Sequence, residues 1–394
     1  MKIAWALAAL VALWPTTRAE AHAIGQSYFY LQVHEDRVTG RFEISLEDLN
    51  AVFWLAGIDR RVTPETLDEA IPLLHDYFRD RVALFDESGA PIAIRFTSHG
   101  LLDERGGYAL LSFDLGDAAG VPERMTVDYH VLFDEDPEHR ALLIVEHHWG
   151  TGTFANEARA SLEFSPDARR QEFTFPTGSR TTGVVALAGR GAREMSMGID
   201  HLLFVVALLL PAAFVRYRGK GPLAPKAVLA DAMPASVAFA IGWALALVLG
   251  SVELVFLPPR LVETVVGASV GIVAVHAVRP CLGRGFVMAA AGFGLFHGLG
   301  FSVTLYRLGA LQEHLWLGVS AFLIGLVLAQ MAIILIAAGA IWLAWHPGVL
   351  RRVVLHAAVA VMVVLSVLWI AERGLGFAFL KPGSLVAAAR DMLG

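Results

Sequence analysis

Fourteen apolar residues run unbroken from Leu202 to Val215, and directly before them stand an acid and an imidazole, Asp200 and His201, with Glu194 a little further back. A helix needs about 20 residues to cross a hydrocarbon core about 30 Å thick. To span, this one must draw in residues before Leu202, which sets Glu194, Asp200 and His201 in the outer part of a membrane. A charged side chain at the bilayer centre costs roughly 3 kcal/mol on insertion scales, and less near the edge. A chain that keeps three ionisable groups there either uses them or hydrates them at headgroup level. Glu194 and His201 are seven apart, so on an unbroken helix they share a face, with Asp200 about 100° round from His201. Such a nitrogen and oxygen set suits a divalent transition metal better than Ca²⁺ or Mg²⁺, which prefer oxygen alone.

With 56% hydrophobic residues and a mean hydropathy of +0.57, the 394-residue chain is too apolar for an ordinary soluble protein. Charge divides it. Residues 24 to 180 hold 14 Arg, no Lys and 28 acids, a balance of −14, while the whole chain carries only −6. An acidic soluble part is thus joined to a basic, membrane-embedded part; the acidity serves solubility or cation capture. Cys281 is the single cysteine, so no disulfide forms within the chain.

Lys2, an apolar stretch from Ile3 to Trp14 and Ala21-His22-Ala23 have the form of a secretory signal cleaved after Ala23, which sends the next segment out of the cytoplasm, in a bacterium to the periplasm. From Ser27 to about Phe175, short alternating runs separated by turn residues predict an all-β, sandwich-like domain. One helix is expected within it. Leu67, Ile71, Leu74 and Phe78 recur at helical spacing behind Thr63-Pro64, although Pro72 delays or bends that helix. His147 and His148 follow Glu146 on a candidate strand, where neighbours point to opposite faces, so the two cannot grip one ion without a bulge. This domain holds no H-E-x-x-H, nucleophile elbow or P-loop; the chain is expected not to be an enzyme, and nothing points to nucleic-acid binding.

Residues 176 to 191 are rich in Pro, Gly, Ser and Thr and are expected to be a linker. Six spans follow within 181–372: about 192 to 215, 232 to 257, 260 to 279, 285 to 307, 315 to 345 and 352 to 372. Arg216, Arg218, Lys220 and Lys226 follow the first span, Arg279 and Arg284 the third, Arg351 and Arg352 the fifth. By the positive-inside rule those ends are cytoplasmic, which agrees with a secreted N-terminal domain and a multi-pass protein of the bacterial inner membrane. The tail, 373 to 394, then returns to the periplasmic side, where Leu385 to Leu393 could lie along the lipid surface.

The fourth span holds a second unusual stretch, Gly292-Phe-Gly294-Leu-Phe-His297-Gly298-Leu-Gly300-Phe-Ser302. Gly294 and Gly298 strip one side of bulk, so another backbone can come close. His297 sits near mid-membrane, turned into the bundle either as a ligand or as a neutral partner of another helix. Gln330 in the fifth span is a further candidate, as ligand or as an interhelical hydrogen-bonding group.

Gly198-Ile-Asp200-His201-Leu-Leu-Phe, then Leu257-Pro-Pro-Arg-Leu-Val-Glu263, then Phe293-Gly294-Leu-Phe-His297-Gly298-Leu-Gly300-Phe301, in that order, resemble the HupE/UreJ family of membrane proteins over about residues 185 to 335, specifically its branch with an N-terminal extracytoplasmic domain. The resemblance implies a nickel or cobalt permease. The family's first motif is a His, five residues, then Asp-His; here Glu194 stands where that His is expected, and a carboxylate can still coordinate. Trp243 replaces a family His in the second span, and Leu323 and Val327 replace an Asn and a Glu in the fifth. A smaller metal site, a different ion or the loss of transport would each fit those changes.

The resulting expectation is a six-helix membrane protein that moves or handles a divalent transition metal, nickel or cobalt first. Asp200 and His201 receive the ion with Glu194 assisting, His297 accepts it deeper, and Gln330 stands further along. The alternative is a non-transporting, membrane-anchored assembly or sensing protein whose periplasmic β domain binds a protein partner.

Overall fold

The computed structural model describes residues 25–55, 62, 63, 65–102, 107–115, 121–218, 225–309, 311–343 and 349–376. The expected leader 1–23, Lys220 and the stretch Leu385 to Leu393 lie outside the described residues. The chain divides into two units, Met1–Gly178 and Ser179–Gly394.

The first unit is sheet-rich. Strands β1 (Gln26–Val33), β2 (Val38–Ser45), β5 (Arg95–Leu102), β6 (Tyr108–Asp114), β8 (Arg140–His148) and β9 (Leu162–Phe164) form a six-stranded sheet in the order β5-β6-β2-β1-β8-β9. Strands β3 (Val82–Phe85), β4 (Pro91–Ile92), β7 (Arg124–Tyr129) and β10 (Arg170–Thr174) form a second sheet, β10-β7-β3-β4. β1 is central, antiparallel to β2 and parallel to β8. Its period-2 alternation sends Phe29, Leu31 and Val33 into the main core with residues of both sheets, and Tyr28 and Tyr30 into a smaller cluster with Tyr108 and Ile144. Burial on both faces explains why its sequence is apolar almost throughout.

The expected helix is present as α2 (Leu67–Arg81), with Leu67, Ile71, Leu74 and Phe78 all buried and Pro72 inside it. It begins at Leu67, after Thr66, while Pro64 lies outside the described residues. Another helix, α1 (Leu46–Leu55), and the strand β10 were not foreseen. The signal for α1 is Ser45-Leu-Glu-Asp48, whose serine Oγ accepts the Asp48 N–H at 3.0 Å, an N-cap bond. His147 is buried against Phe154 while His148 bonds Thr151 on the other side, even though the strand bulges at Glu146.

A buried polar chain ties β1 to the turn before β8. His139 Nε2 lies 2.9 Å from Ser27 Oγ, which lies 2.8 Å from the Tyr129 hydroxyl. Burial lowers the His139 pKa to about 4, because a charged imidazole loses its hydration there. The unfolded chain takes up this proton near the ordinary value of 6.5, so between pH 6.5 and 4 it binds a proton that the folded unit does not. Stability is therefore whole above about pH 6.5 and falls by roughly 3 kcal/mol towards pH 4. Urea unfolding of this unit in the full-length protein, followed by near-UV circular dichroism, should show that loss, and His139→Asn should flatten it; an unchanged pH slope would refute the assignment.

The second unit is helical: α3 (Arg180–Met197), α4 (Ile199–Arg218), α5 (Pro225–Ser251), α6 (Pro259–Val278), α7 (Phe286–Arg307), α8 (Leu311–Leu343) and α9 (Val349–Trp369), the last followed by a π turn, Ile370–Gly374. Five of these helices are long and apolar enough to cross a membrane, and α3 with α4, bent by 69°, makes a sixth if the pair is counted as one span. The linker expected over 176 to 191 is corrected here: α3 begins at Arg180, with Ser179 Oγ accepting the Thr182 N–H. Two of its glycines, Gly183 and Gly191, lie on the buried face of a helix rather than in a flexible loop. Gly183, Leu187, Gly191 and Met195 form one buried face, and a Cβ at Gly191 would strike the Phe322 carbonyl oxygen of α8, as one at Gly325 would strike that of Ala188.

The small face foreseen on the fourth span does bring two backbones together. A Cβ on Gly294 would meet the Phe239 carbonyl oxygen and one on Gly298 that of Trp243, both on α5, whereas Gly300 faces open space. Gly294→Leu should force α5 and α7 apart and cost about 1–3 kcal/mol or more, read as a lower melting temperature of the detergent-solubilised protein. Gly300→Leu should leave that temperature nearly unchanged.

Candidate functional site

The straight first span anticipated from sequence is broken at Gly198, whose extended backbone (φ −69°, ψ 106°) ends α3 and starts α4. Glu194 and His201 therefore do not share the face of one helix. A Cβ on residue 198 would collide with His201 Nδ1, so glycine both permits the bend and leaves room for the imidazole. Glu194 accepts a hydrogen bond from the Thr304 hydroxyl of α7 at 3.2 Å.

Asp200 lies in the first turn of α4, where the exposed amides of a helix start favour an anion. Its Oδ1 accepts the His201 backbone N–H at 2.9 Å and lies 3.1 Å from His201 Nδ1. That second approach is not a hydrogen bond, because its direction does not meet hydrogen-bond geometry. Oδ2 accepts from Arg373 Nη1, in the π turn after α9, at 2.8 Å. Both oxygens of this carboxylate are thus engaged.

His297 is wholly buried on α7. Its ring centroid lies 5.1 Å from that of His201, 4.8 Å from Phe204 and 5.1 Å from Phe239. Two imidazoles bound to one ion, with metal–nitrogen bonds of about 2.1 Å, can have centroids this close. Nε2 lies 3.1 Å from Ser269 Oγ on α6, and that hydroxyl is 2.6 Å from the Val266 carbonyl, to which it donates. Ser269 can therefore only accept from His297, so Nε2 carries the proton and Nδ1 carries a lone pair. Nδ1 makes no hydrogen bond among the described residues. A buried nitrogen left bare inside an aromatic wall is unusual, and it is the form in which imidazole binds a metal.

Gln330 is occupied elsewhere. Its Oε1 accepts from the indole of Trp243 at 2.8 Å, and its Nε2 donates to the Ser236 carbonyl at 3.1 Å. The fully buried Trp243 meets Phe301, which contacts both its indole and the His201 ring. Among the described residues, no three ligating atoms from Glu194, Asp200, His201 and His297 lie within 4.8 Å of one another. The arrangement is a close pair of imidazoles with a carboxylate alongside, not a closed cage. Few, loosely gathered nitrogen and oxygen donors bind a transition ion reversibly rather than trapping it.

Sequence reasoning missed Ser269, Thr304 and Arg373. The first two are small hydroxyl residues in apolar helices and carry no pattern. Arg373 did carry one: at a span end that the charge distribution predicts to be the outer one, an arginine runs against that distribution.

A bundle of spanning helices with buried imidazoles defines a multi-pass membrane protein rather than a soluble ion binder. Residues 169–373, just over half of the chain, match the family model described as HupE / UreJ protein, and the chain belongs to the HupE/UreJ family. That family is associated with metal (nickel/cobalt) transport or handling and comprises transporters and accessory proteins rather than catalysts. No curated protein and no solved structure matches the chain.

The tautomer assignment has a direct check. Nitrogen NMR of histidine-labelled protein should find His297 neutral and protonated at Nε2, and Ser269→Ala should mix the two tautomers; a ring protonated at Nδ1 in the unaltered protein would refute it.

Proposed function

We propose that this protein is a permease for a divalent transition metal, nickel or cobalt first, in a bacterial inner membrane, with its sheet-rich unit in the periplasm. The ion is received at Asp200 and His201, with Glu194 assisting from beside the bend, and passes to His297. The observation that carries the reading is the His201–His297 pair, 5.1 Å apart at the ring centroids, with the deeper ring buried and its Nδ1 unbonded. Membership of a family associated with metal handling supports it. The orientation rests on Arg216, Arg218, Lys220 and Lys226, Arg279 and Arg284, and Arg351 and Arg352, all at ends that would face the cytoplasm. Gln330 serves better as the clamp on Trp243 than as a ligand, since its amide is engaged at both ends.

Release needs ligands that exchange, and a two-imidazole site with a shared carboxylate allows it. Cells expressing the protein should accumulate more nickel or cobalt than cells without it, measured by elemental analysis. His201→Ala and His297→Ala should each return the content to background. Equal content with and without those changes would exclude transport and leave a membrane-anchored assembly or sensing module, whose sheet-rich unit binds a partner.

A further inference from the structure

The carboxylate beside the histidine pair already has a cation. Arg373 Nη1 holds Asp200 Oδ2 at 2.8 Å, and the same nitrogen lies 3.4 Å from the Glu263 carbonyl oxygen on α6. Its guanidinium carbon stands 5.4 Å from the centroid of the buried Trp369 ring, whose Cβ in turn fits over Gly267 of α6. Three elements, the start of α4, the outer turn of α6 and the end of α9, therefore converge on one guanidinium. The ion pair is largely shielded, with side-chain exposures of 12% for Asp200 and 24% for Arg373. Arg373 is carried on a π turn rather than a continuing α-helix, a local irregularity that recurs at functional sites.

With Oδ1 held by the His201 amide and Oδ2 by Arg373, no oxygen of Asp200 is left wholly to an incoming ion. We propose that Arg373 is a resident competitor for the cation site: a metal takes Asp200 only by displacing the guanidinium, and the guanidinium returns when the ion moves on. The inference rests on the permease reading above and adds to it a specificity-determining residue. A divalent ion outcompetes the fixed single charge, whereas a monovalent ion gains too little from one carboxylate to do so. The returning arginine also weakens retention, because it neutralises the carboxylate behind the departing ion. A guanidinium suits this work, since it stays charged at every accessible pH and its planar fork pairs with a carboxylate without losing its hold on a carbonyl.

The sign of the effect separates a competitor from a brace. If Arg373 merely orients Asp200, removing it loosens the site and weakens metal binding; if it competes, removing it strengthens binding. Calorimetric titration of the full-length protein in detergent with nickel chloride should find Arg373→Gln binding at least about tenfold more tightly than the unaltered protein, the scale expected when a positive charge beside a divalent ion is removed at a partly buried site. Arg373→Lys, which keeps the charge, should stay close to the unaltered protein. Asp200→Asn should weaken binding, and adding Arg373→Gln to it should restore nothing. In the absence of metal Arg373→Gln should melt lower, and nickel should raise its melting temperature by more than it raises that of the unaltered protein.

A second measurement needs no variant. Labelling of Arg373 by phenylglyoxal, followed by mass spectrometry, should accelerate severalfold when nickel is added, because displacement frees the guanidinium. Equal or weaker nickel binding by Arg373→Gln, a gain that persists without Asp200, or labelling that nickel leaves unchanged would each overturn the inference while leaving the permease reading intact. Failure of the unaltered protein to bind nickel or cobalt at all would overturn both.

Discussion

The helical unit is arranged around the interruption at Gly198. An unbroken helix from Arg180 through Phe214 would carry Asp200 and His201 along a single axis, and the imidazole would have no space where a Cβ now cannot fit. Because the chain turns by 69° there, Asp200 arrives at a helix start whose free amides welcome a carboxylate, and His201 faces the ring of His297. Local backbone chemistry and long-range packing meet at one residue without a side chain.

The buried groups beyond the bend are settled one by one through neighbours on other helices. Ser269 fixes the tautomer of His297, Thr304 holds Glu194, Arg373 balances Asp200, and Trp243 with Ser236 absorbs both ends of Gln330. In a medium without water each such group needs a partner, so a buried nitrogen left bare stands out. Close approach makes these partnerships possible. Gly294 and Gly298 let α7 lie against the backbone of α5, and Gly191 and Gly325 do the same for α3 and α8. The Trp243 indole then reaches Gln330 across that tight seam, occupying space where the family resemblance leads one to expect another imidazole.

In the sheet-rich unit, hydrophobic alternation carried most of the information. Tyr28 to Leu31 is apolar on both faces because β1 is central and covered on both, and Leu67, Ile71, Leu74 and Phe78 mark the buried face of α2. β10 stayed hidden because Arg170-Gln171-Glu172 is a polar edge strand with little alternation to read, and α1 because its capping serine sits at the end of a strand. Glycine-rich composition misled in the segment before Glu194, where Gly183 and Gly191 lie on the buried face of a helix instead of in a loop.

The amino-acid sequence by itself determined the division into a sheet-rich and a helical part, most of the spans, the family, and the choice of Asp200, His201 and His297 as residues to watch. Those follow from periodicity, from apolar length against the thickness of a bilayer, and from the energetic penalty of ionisable groups in an apolar run, all of which are local properties of the chain. The bend at Gly198, the meeting of the two imidazoles, the protonation of His297 at Nε2, the engagement of Gln330 by Trp243 and the guanidinium on Asp200 were decided only by the tertiary structure. Each depends on residues 28 to 173 positions apart brought within a few ångströms, or on backbone torsions at one glycine, and neither is written in any window of sequence.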